Sequence, residues 1–359
     1  MTDDYKFQIT DDDPISLYNY AKQCQDAGDT DDALIFYNKS ITADSTCPHG
    51  WYGMSYIYFQ QGAYDIAFKK SCQGVKEADY SKYHDPIHFE LGQIMLDSAS
   101  KLAEKINIVS YNNSVFKELE QKGNCKIYCK DFKQDEISSF LGFGPDYNQD
   151  FHNIVYNSAL PDSEYRILHE LIHLKFKIEN HKKGIKLPYT FSNKAYQLFY
   201  YKNIATYQNK YKKFSPTDLN KRMSNDFTQL YALLITNIID LFIEKEIYYK
   251  IPELRPLQVL STIAENKRIE KRTLGFENHM PTEIFHKIMI INHLEFLNLK
   301  ELYGMNQITD IPITSELIKK AEELYQICKE AMYSSNFCTQ IATTMNIVAE
   351  KLELKYLLE

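Results

Sequence analysis

The sequence predicts a mainly helical α+β protein, in which helical hairpins precede a domain with a small sheet and a helical C-terminal half. Three observations support this class. The N-terminal part of the chain repeats itself, so that Gly28 and Ala33 recur as Gly62 and Ala67. Short strand-like segments follow between about 106 and 158, and the chain after about residue 190 has the apolar periodicity of helices. With 359 residues, the chain is long enough for two domains.

The overall composition excludes several classes of protein. The chain is 44% hydrophobic and 25% charged, which is typical of a globular protein. No apolar run approaches the roughly 18 residues of a membrane span, and the N-terminus lacks the pattern of a signal peptide. We therefore expect a cytoplasmic protein without a membrane partner, unless it is exported by a route that needs no signal peptide. The net charge of −7 argues against a nucleic-acid partner.

Helical repeats are predicted over residues 15–105, after an acidic flexible arm at residues 1–14. Gly28 and Gly62 would lie in the turn between the two helices of each unit, where a positive φ is unstrained only for Gly. The positions that match between the two copies are Leu17 and Trp51, Ala21 and Ser55, Cys24 and Tyr58, Gly28 and Gly62, and Ala33 and Ala67. The pattern resembles the tetratricopeptide repeat, which implies a surface that recruits a protein partner or substrate.

Residues 106–359 are predicted to form the second domain. Its strand candidates are 106–109, 126–129 and 152–158, and Gly142, Gly144 and Pro145 mark a loop. A helix should then begin at Pro161. Seven scattered cysteines in an intracellular chain are expected to be free thiols.

The strongest chemical signal is the segment His169-Glu170-Leu171-Ile172-His173. Residues four apart on a helix point the same way, so His169 and His173 would present two imidazoles to one point in space. That is the geometry with which zinc is bound in the HExxH arrangement. Glu170 lies on the flank of this face, where its carboxylate can take a proton from a water held by the metal.

This motif resembles that of the zincin metallopeptidases, and the resemblance covers about residues 150–250. It implies that the strand before the helix pairs with an extended peptide substrate. In this chain that strand would be 152–158, with Asn153, Val155 and Asn157 as its substrate-binding residues. The metzincin continuation is absent, because His181 follows in a polar stretch without the required Gly.

A third metal ligand is expected from the apolar helical segment Gln229–Tyr249. Asn237, Asp240 and Glu244 fall within about 60° of one another on this helix, and buried carboxylates are unfavourable unless paired or bound to metal. One of the two carboxylates would complete the zinc site and the other would orient a histidine, with Asn237 as a supporting residue. Their spacing is gluzincin-like, but the Asn-Glu opening usual in that group is not reproduced, so both remain candidates.

The predicted activity is that of a zinc-dependent peptidase with Glu170 as general base and Zn²⁺ as cofactor, acting on a protein or peptide. Zincins often use a downstream His or Tyr to stabilise the oxyanion of the tetrahedral intermediate, and His286, Tyr248 and Tyr231 are the candidates. The alternative is a non-catalytic protein-binding module, in which the repeats bind a partner and the zinc site is structural.

Overall fold

The computed structural model describes residues 13–83, 86–133, 138–184, 192–277, 279–305, 313–333 and 337–358. Within these ranges the chain forms thirteen α-helices and one three-stranded sheet, which confirms a mainly helical α+β class. The predicted acidic arm lies outside the described residues apart from its last two positions. Of these, Asp13 caps the first helix, because its carboxylate accepts a hydrogen bond from the backbone N–H of Ser16 at 2.7 Å.

Contacts divide the chain into two compact units. The first consists of the described residues of Met1–Ile106, Glu253–Leu260 and Leu299–Gln307, and the second of those of Asn107–Pro252, Ser261–Asn298 and Ile308–Glu359. The predicted division into 15–105 and 106–359 differs from this, because two short C-terminal segments belong to the first unit. Their inclusion has a packing reason: Met305 contacts the buried cluster around Trp51.

The first unit contains two helical hairpins whose bounds repeat at the same spacing that separates Gly28 from Gly62. They are formed by α1 (Pro14–Asp26) with α2 (Thr30–Ala43), and by α3 (Pro48–Gln60) with α4 (Tyr64–Glu77); α5 (Ile87–Ala103) follows. Gly28 and Gly62 occupy the two turns with φ of 85° and 74°, a conformation that Gly adopts without strain.

Small residues let the helices of this unit approach closely. Tyr37 is 1% exposed, and its ring lies where a side chain on Gly53 would be. Gly74 makes room for Trp51 in the same way. A larger residue at either glycine would therefore push the neighbouring helices apart.

The second unit begins with a helix where the sequence predicts a strand. The prediction of an extended segment at 106–109 is wrong, because α6 spans Ile108–Gly123. The side chain of Asn107 accepts a hydrogen bond from the backbone N–H of Ser110 at 3.1 Å, and this cap starts the helix. A short apolar run does not distinguish strand from helix by its periodicity, which accounts for the error.

One mixed sheet follows, with the strand order β1-β3-β2. The strands are β1 (Lys126–Asp131), β2 (Ser139–Gly142) and β3 (Phe151–Tyr156). β3 is central, because it pairs in parallel with β1 and antiparallel with β2. The sheet packs against α7 (Ser163–Lys182) through a buried apolar cluster that includes Ile154, Leu171 and Leu174.

The remaining helices complete the chain. They are α8 (Asn193–Lys210), α9 (Pro216–Lys250), α10 (Arg255–Phe276), α11 (Thr282–Tyr303), α12 (Ser315–Met332) and α13 (Phe337–Lys351). α9 contains the predicted apolar segment but starts earlier, at a Ser215 cap followed by Pro216. By length and composition alone α9 could cross a membrane, although 67% of its apolar stretch is buried inside the protein, as in a core helix.

Candidate metal centre

Two imidazoles of α7 converge on one point. His169 and His173 are both buried, their ring centroids are 4.9 Å apart, and their Nε2 atoms are separated by 3.1 Å. The helix places them so because residues four apart share a face. The apolar side chains between them, Leu171 and Ile172, are buried and hold α7 in the core.

Asp240 of α9 brings a carboxylate to the same point. Its Oδ1 lies 2.8 Å from Nε2 of His173 and 3.2 Å from Nε2 of His169. Each of the three residues thus offers one ligand atom, and all three atoms lie within 4.8 Å of one another. Donor atoms bound at about 2.0 Å in a tetrahedral zinc site are roughly 3.3 Å apart, and the three donor atoms here are separated by 2.8, 3.1 and 3.2 Å.

Glu244 contacts the nitrogen of the His169 ring that lies opposite the one near Asp240. Its Oε1 is 2.8 Å from Nδ1 of His169, and its Oε2 accepts a hydrogen bond from the hydroxyl of Tyr165 at 2.8 Å. Of the two carboxylates between which the sequence did not choose, Asp240 therefore faces the shared point and Glu244 orients a histidine. Burial would lower the pKa of His169, but Asp240 and Glu244 outweigh it and raise that pKa well above its usual value.

Glu170 lies beside this cluster and is positioned by the sheet. Its Oε1 accepts a hydrogen bond from the hydroxyl of Ser139, in β2, at 2.7 Å. The residue is 6% exposed, yet it lines the cavity that contains both histidines and Asp240. A fixed carboxylate next to a potential metal site can accept a proton from water.

The cluster opens into a cavity of about 520 Å³. Tyr231 of α9 lines this cavity, and burial raises the pKa of its hydroxyl to about 12, which keeps it a hydrogen-bond donor at neutral pH. The other predicted oxyanion residues, Tyr248 and His286, are not among the described side chains that line it. Of the three candidates, the structure therefore brings Tyr231 to the cavity.

Asn237 also lines the cavity, but its role differs from the predicted one. Its side-chain amide donates to Oδ1 of Asn292 at 3.1 Å, so it connects α9 to α11. The hydrogen bonds found for it among the described residues involve neither a histidine nor a carboxylate of the cluster. Asn237 supports the site indirectly, by fixing the distance between two helices.

The predicted substrate strand is wrong. Asn153 pairs with Tyr128 on one side and with Gly142 on the other, and Val155 is likewise paired on both sides. Asn157, just beyond β3, donates its backbone N–H to Ser138 at 3.0 Å. A central strand has no free hydrogen-bonding edge, so it cannot add a substrate strand.

Several residues of this site were not predicted. Arg166, one turn before Glu170, contacts Asp162 at 3.1 Å and Glu265 at 3.6 Å and lines the cavity. Ser139 gave no signal in the sequence, because a Ser in a short strand is common. Glu295 could have been found, since it is a carboxylate within an apolar helical segment, the pattern that singled out Asp240.

Comparison with family models, with curated proteins and with solved structures gives no match for this chain.

Proposed function

We propose that this protein is a zinc-dependent peptidase. The observation that carries the proposal is the convergence of His169, His173 and Asp240 beside Glu170 in one cavity. Two imidazole nitrogens and one carboxylate oxygen make up a three-ligand set of the kind that catalytic zinc sites use, with a further position open. Zinc held there would supply a Lewis acid that acidifies water and polarises a carbonyl group.

The protein's own residues have separate tasks in this mechanism. Glu170 accepts the proton of the attacking water and passes it to the leaving amine, while its bond from Ser139 keeps the carboxylate aimed into the cavity. Tyr231 is the candidate donor for the developing oxyanion, because it is the residue among the three candidates that lines the cavity. With a metal bound, Glu244 would accept the hydrogen bond from Nδ1 of His169 and so favour the tautomer whose Nε2 can bind the metal.

The substrate would bind along β2 instead of β3. Within the described chain, β2 pairs with β3 alone, so its other edge is open. Ser139, Phe140 and Leu141 of this strand line the cavity. An extended peptide could add to this edge as a further strand. It would then run past the carboxylate of Glu170, which would bring one of its peptide bonds next to the general base.

The number of ligands favours this reading over a purely structural zinc site. Structural sites are closed by four protein ligands, whereas the metal-ligand group among the described residues has three members. The helical hairpins of the first unit would then recruit a substrate or partner protein, as helical arrays do.

The test is the substitution Glu170→Gln. We expect the variant to bind zinc stoichiometrically, because Glu170 is not in the ligand group, and to lose cleavage of a mixed peptide library analysed by mass spectrometry. Glu179→Gln on the same helix is the matched control and should cleave like the wild-type protein. Cleavage that persists in Glu170→Gln would refute the mechanism, and a zinc-loaded wild-type protein that cleaves no peptide would refute the function.

A further inference from the structure

One carboxyl group in the cavity wall has no task in the mechanism above. Glu295 of α11 is 6% exposed and lines the cavity. Its Oε1 has no hydrogen-bond partner among the described residues. A buried carboxyl oxygen without a hydrogen-bond partner is unfavourable, so a residue of this kind points to a ligand that supplies donors to its carboxyl group.

The cations in the cavity wall are already paired with other carboxylates. Lys177 lies 3.0 Å from Asp146, and Arg272 lies 2.8 Å from Glu265. Arg166 contacts the same Glu265. These three side chains therefore do not neutralise Glu295.

Carboxyl groups outnumber cationic side chains in the cavity wall. Six carboxyl side chains line it, and its cationic side chains are Arg166, Lys177 and Arg272; the carboxyl residues are Asp146, Glu170, Asp240, Glu244, Glu265 and Glu295. With all of these groups ionised, a divalent ion would balance two of the three carboxylates in excess, and a cationic group of a ligand would balance the third.

The position of Glu295 is fixed by a neighbouring contact. Asn292, three residues earlier on α11, accepts a hydrogen bond from Asn237 and donates one to Thr273 at 2.7 Å. Asn237 in turn lies three residues before Asp240 on α9. Glu295 is therefore held in the same cavity as Asp240 by a buried polar contact, although it is not a member of the metal-ligand group.

We propose that Glu295 determines specificity by binding a cationic group of the substrate. The recognised chemistry is an ammonium or guanidinium group, which supplies the donors that the carboxylate lacks. Such a group is carried by a Lys or Arg side chain or by a free peptide N-terminus. The inference rests on the proposed peptidase function.

A binding experiment tests the charge preference without catalysis. Benzamidine and benzamide have nearly the same shape, but benzamidine is a cation. Titration calorimetry on the zinc-loaded protein should give at least about tenfold tighter binding of benzamidine, because hydrogen bonds to charged groups contribute about 1.5–3 kcal/mol. The difference should vanish in Glu295→Gln, remain in part in Glu295→Asp, and be unchanged in the control Glu283→Gln, an exposed site on the same helix.

Peptide cleavage then identifies the source of the cation. For each cleaved peptide, kcat/KM is compared between Lys and norleucine at the positions flanking the scissile bond, and between free and acetylated N-termini. A Lys preference assigns the side chain, and a preference for free N-termini assigns the terminal amine. In either case the preference should fall to near one in Glu295→Gln, whereas the control Glu283→Gln should keep both the preference and the cleavage of the neutral peptide at the wild-type level.

The failure of this inference is distinct from failure of the proposed function. Equal binding of benzamidine and benzamide, or a preference that Glu295→Gln leaves unchanged, would overturn the role of Glu295 and leave the peptidase intact. Loss of zinc from Glu295→Gln would also overturn it, since the carboxylate would then serve the metal. Absence of cleavage in zinc-loaded wild type would refute the peptidase, and the small-molecule titration would still decide the charge preference.

Discussion

Nδ1 of His169 lies 2.8 Å from Oε1 of Glu244, while Nε2 of the same ring lies 3.2 Å from Oδ1 of Asp240. The two carboxylates therefore act on opposite nitrogens of one imidazole. The hydroxyl of Tyr165 donates to the second oxygen of Glu244 and fixes its orientation. Asp240 and Glu244 are one helical turn apart on α9, so a single helix supplies both the potential ligand and the residue that orients its neighbour.

The substitution Glu244→Gln should weaken zinc binding without abolishing it. An amide is a poorer acceptor for the Nδ1 proton than a carboxylate, and loss of such an outer partner typically reduces metal affinity about 10–100-fold. Competition with a chromophoric chelator measures the affinity. Glu246→Gln is the matched control, because that residue pairs with Lys175 and Lys250 instead of with the cluster.

The substitution Asp240→Ala should reduce zinc binding more than Glu244→Gln does. We expect it to lose stoichiometric zinc, since only two donors of the ligand group would remain. If Glu244→Gln lost zinc completely while Asp240→Ala kept it, the assignments of the two carboxylates would be reversed.

Sequence reasoning brought together those site residues that lie close to one another in the chain. His169, Glu170 and His173 belong to one helix, and helical spacing alone determines that they share a face. The choice between Asp240 and Glu244 was not local, because it depends on how α9 is rotated against α7. By sequence, both carboxylates could face a histidine; the structure distinguishes them by the atoms they contact, since Asp240 lies at Nε2 of both histidines and Glu244 at Nδ1 of His169.

The errors arose where pairing across the chain decides the structure. A strand that adds a substrate must lie at an edge of its sheet, yet β1 and β2 flank β3 on both sides. Both flanking strands come from earlier segments of the chain, and strand order is not encoded in the strand itself. Ser139 became important for the same reason, since only the pairing of β2 with β3 brings its hydroxyl to Glu170.

Ser139→Ala should lower the rate of cleavage while leaving zinc content unchanged. The carboxylate of Glu170 would lose a 2.7 Å hydrogen bond that orients it. A hydrogen bond of about 1 kcal/mol corresponds to roughly a fivefold loss in kcat. Steady-state kinetics on a peptide cleaved by the wild-type protein measures the effect. Ser138→Ala should be nearly neutral, because the contact that Ser138 makes with Asn157 uses its backbone carbonyl.

A fall in both zinc content and rate for Ser139→Ala would instead assign the hydroxyl to the metal site. An unchanged rate would show that Glu170 needs no support from β2.

The ionised carboxylate of Asp162 should stabilise α7 at neutral pH, and this stabilisation should be lost at acidic pH. Burial alone would raise the pKa of Asp162, but the positive charges of Arg166 and Arg268 lower it to about 2. The carboxylate therefore stabilises the folded state above its unfolded pKa of about 3.9, and this contribution disappears as pH falls through about 2. Its size is on the order of 2 kcal/mol.

The measurement compares wild type with Asp162→Asn by hydrogen exchange of the α7 amides. The difference in opening free energy should be constant between about pH 5 and 7 and should shrink between about pH 4 and pH 2. Asp65→Asn, at an exposed residue, should change stability by less than about 0.5 kcal/mol throughout. A difference that grew toward acidic pH would contradict the assigned direction of the pKa shift.

Two glycines of the first unit should respond oppositely to the same substitution. In Gly53→Ala the new methyl group would collide with the ring of Tyr37, whose hydroxyl is held by a 2.7 Å hydrogen bond to Gln25. Such overpacking destabilises by about 1–3 kcal/mol. Gly92 lies within α5, and a methyl group there meets no atom within 4 Å, so Gly92→Ala should stabilise the helix by roughly 0.5–1 kcal/mol.

Fluorescence of Trp51 measures both variants, because it is the only tryptophan and is buried in the first unit. Urea unfolding followed by this signal should shift to lower midpoint for Gly53→Ala and to higher midpoint for Gly92→Ala. Equal shifts would mean that the contact of Gly53 with Tyr37 does not limit the approach of α2 and α3. Opposite shifts would trace the spacing of the two hairpins to a glycine that leaves room for one aromatic ring, and this result would not depend on whether the second unit binds a metal.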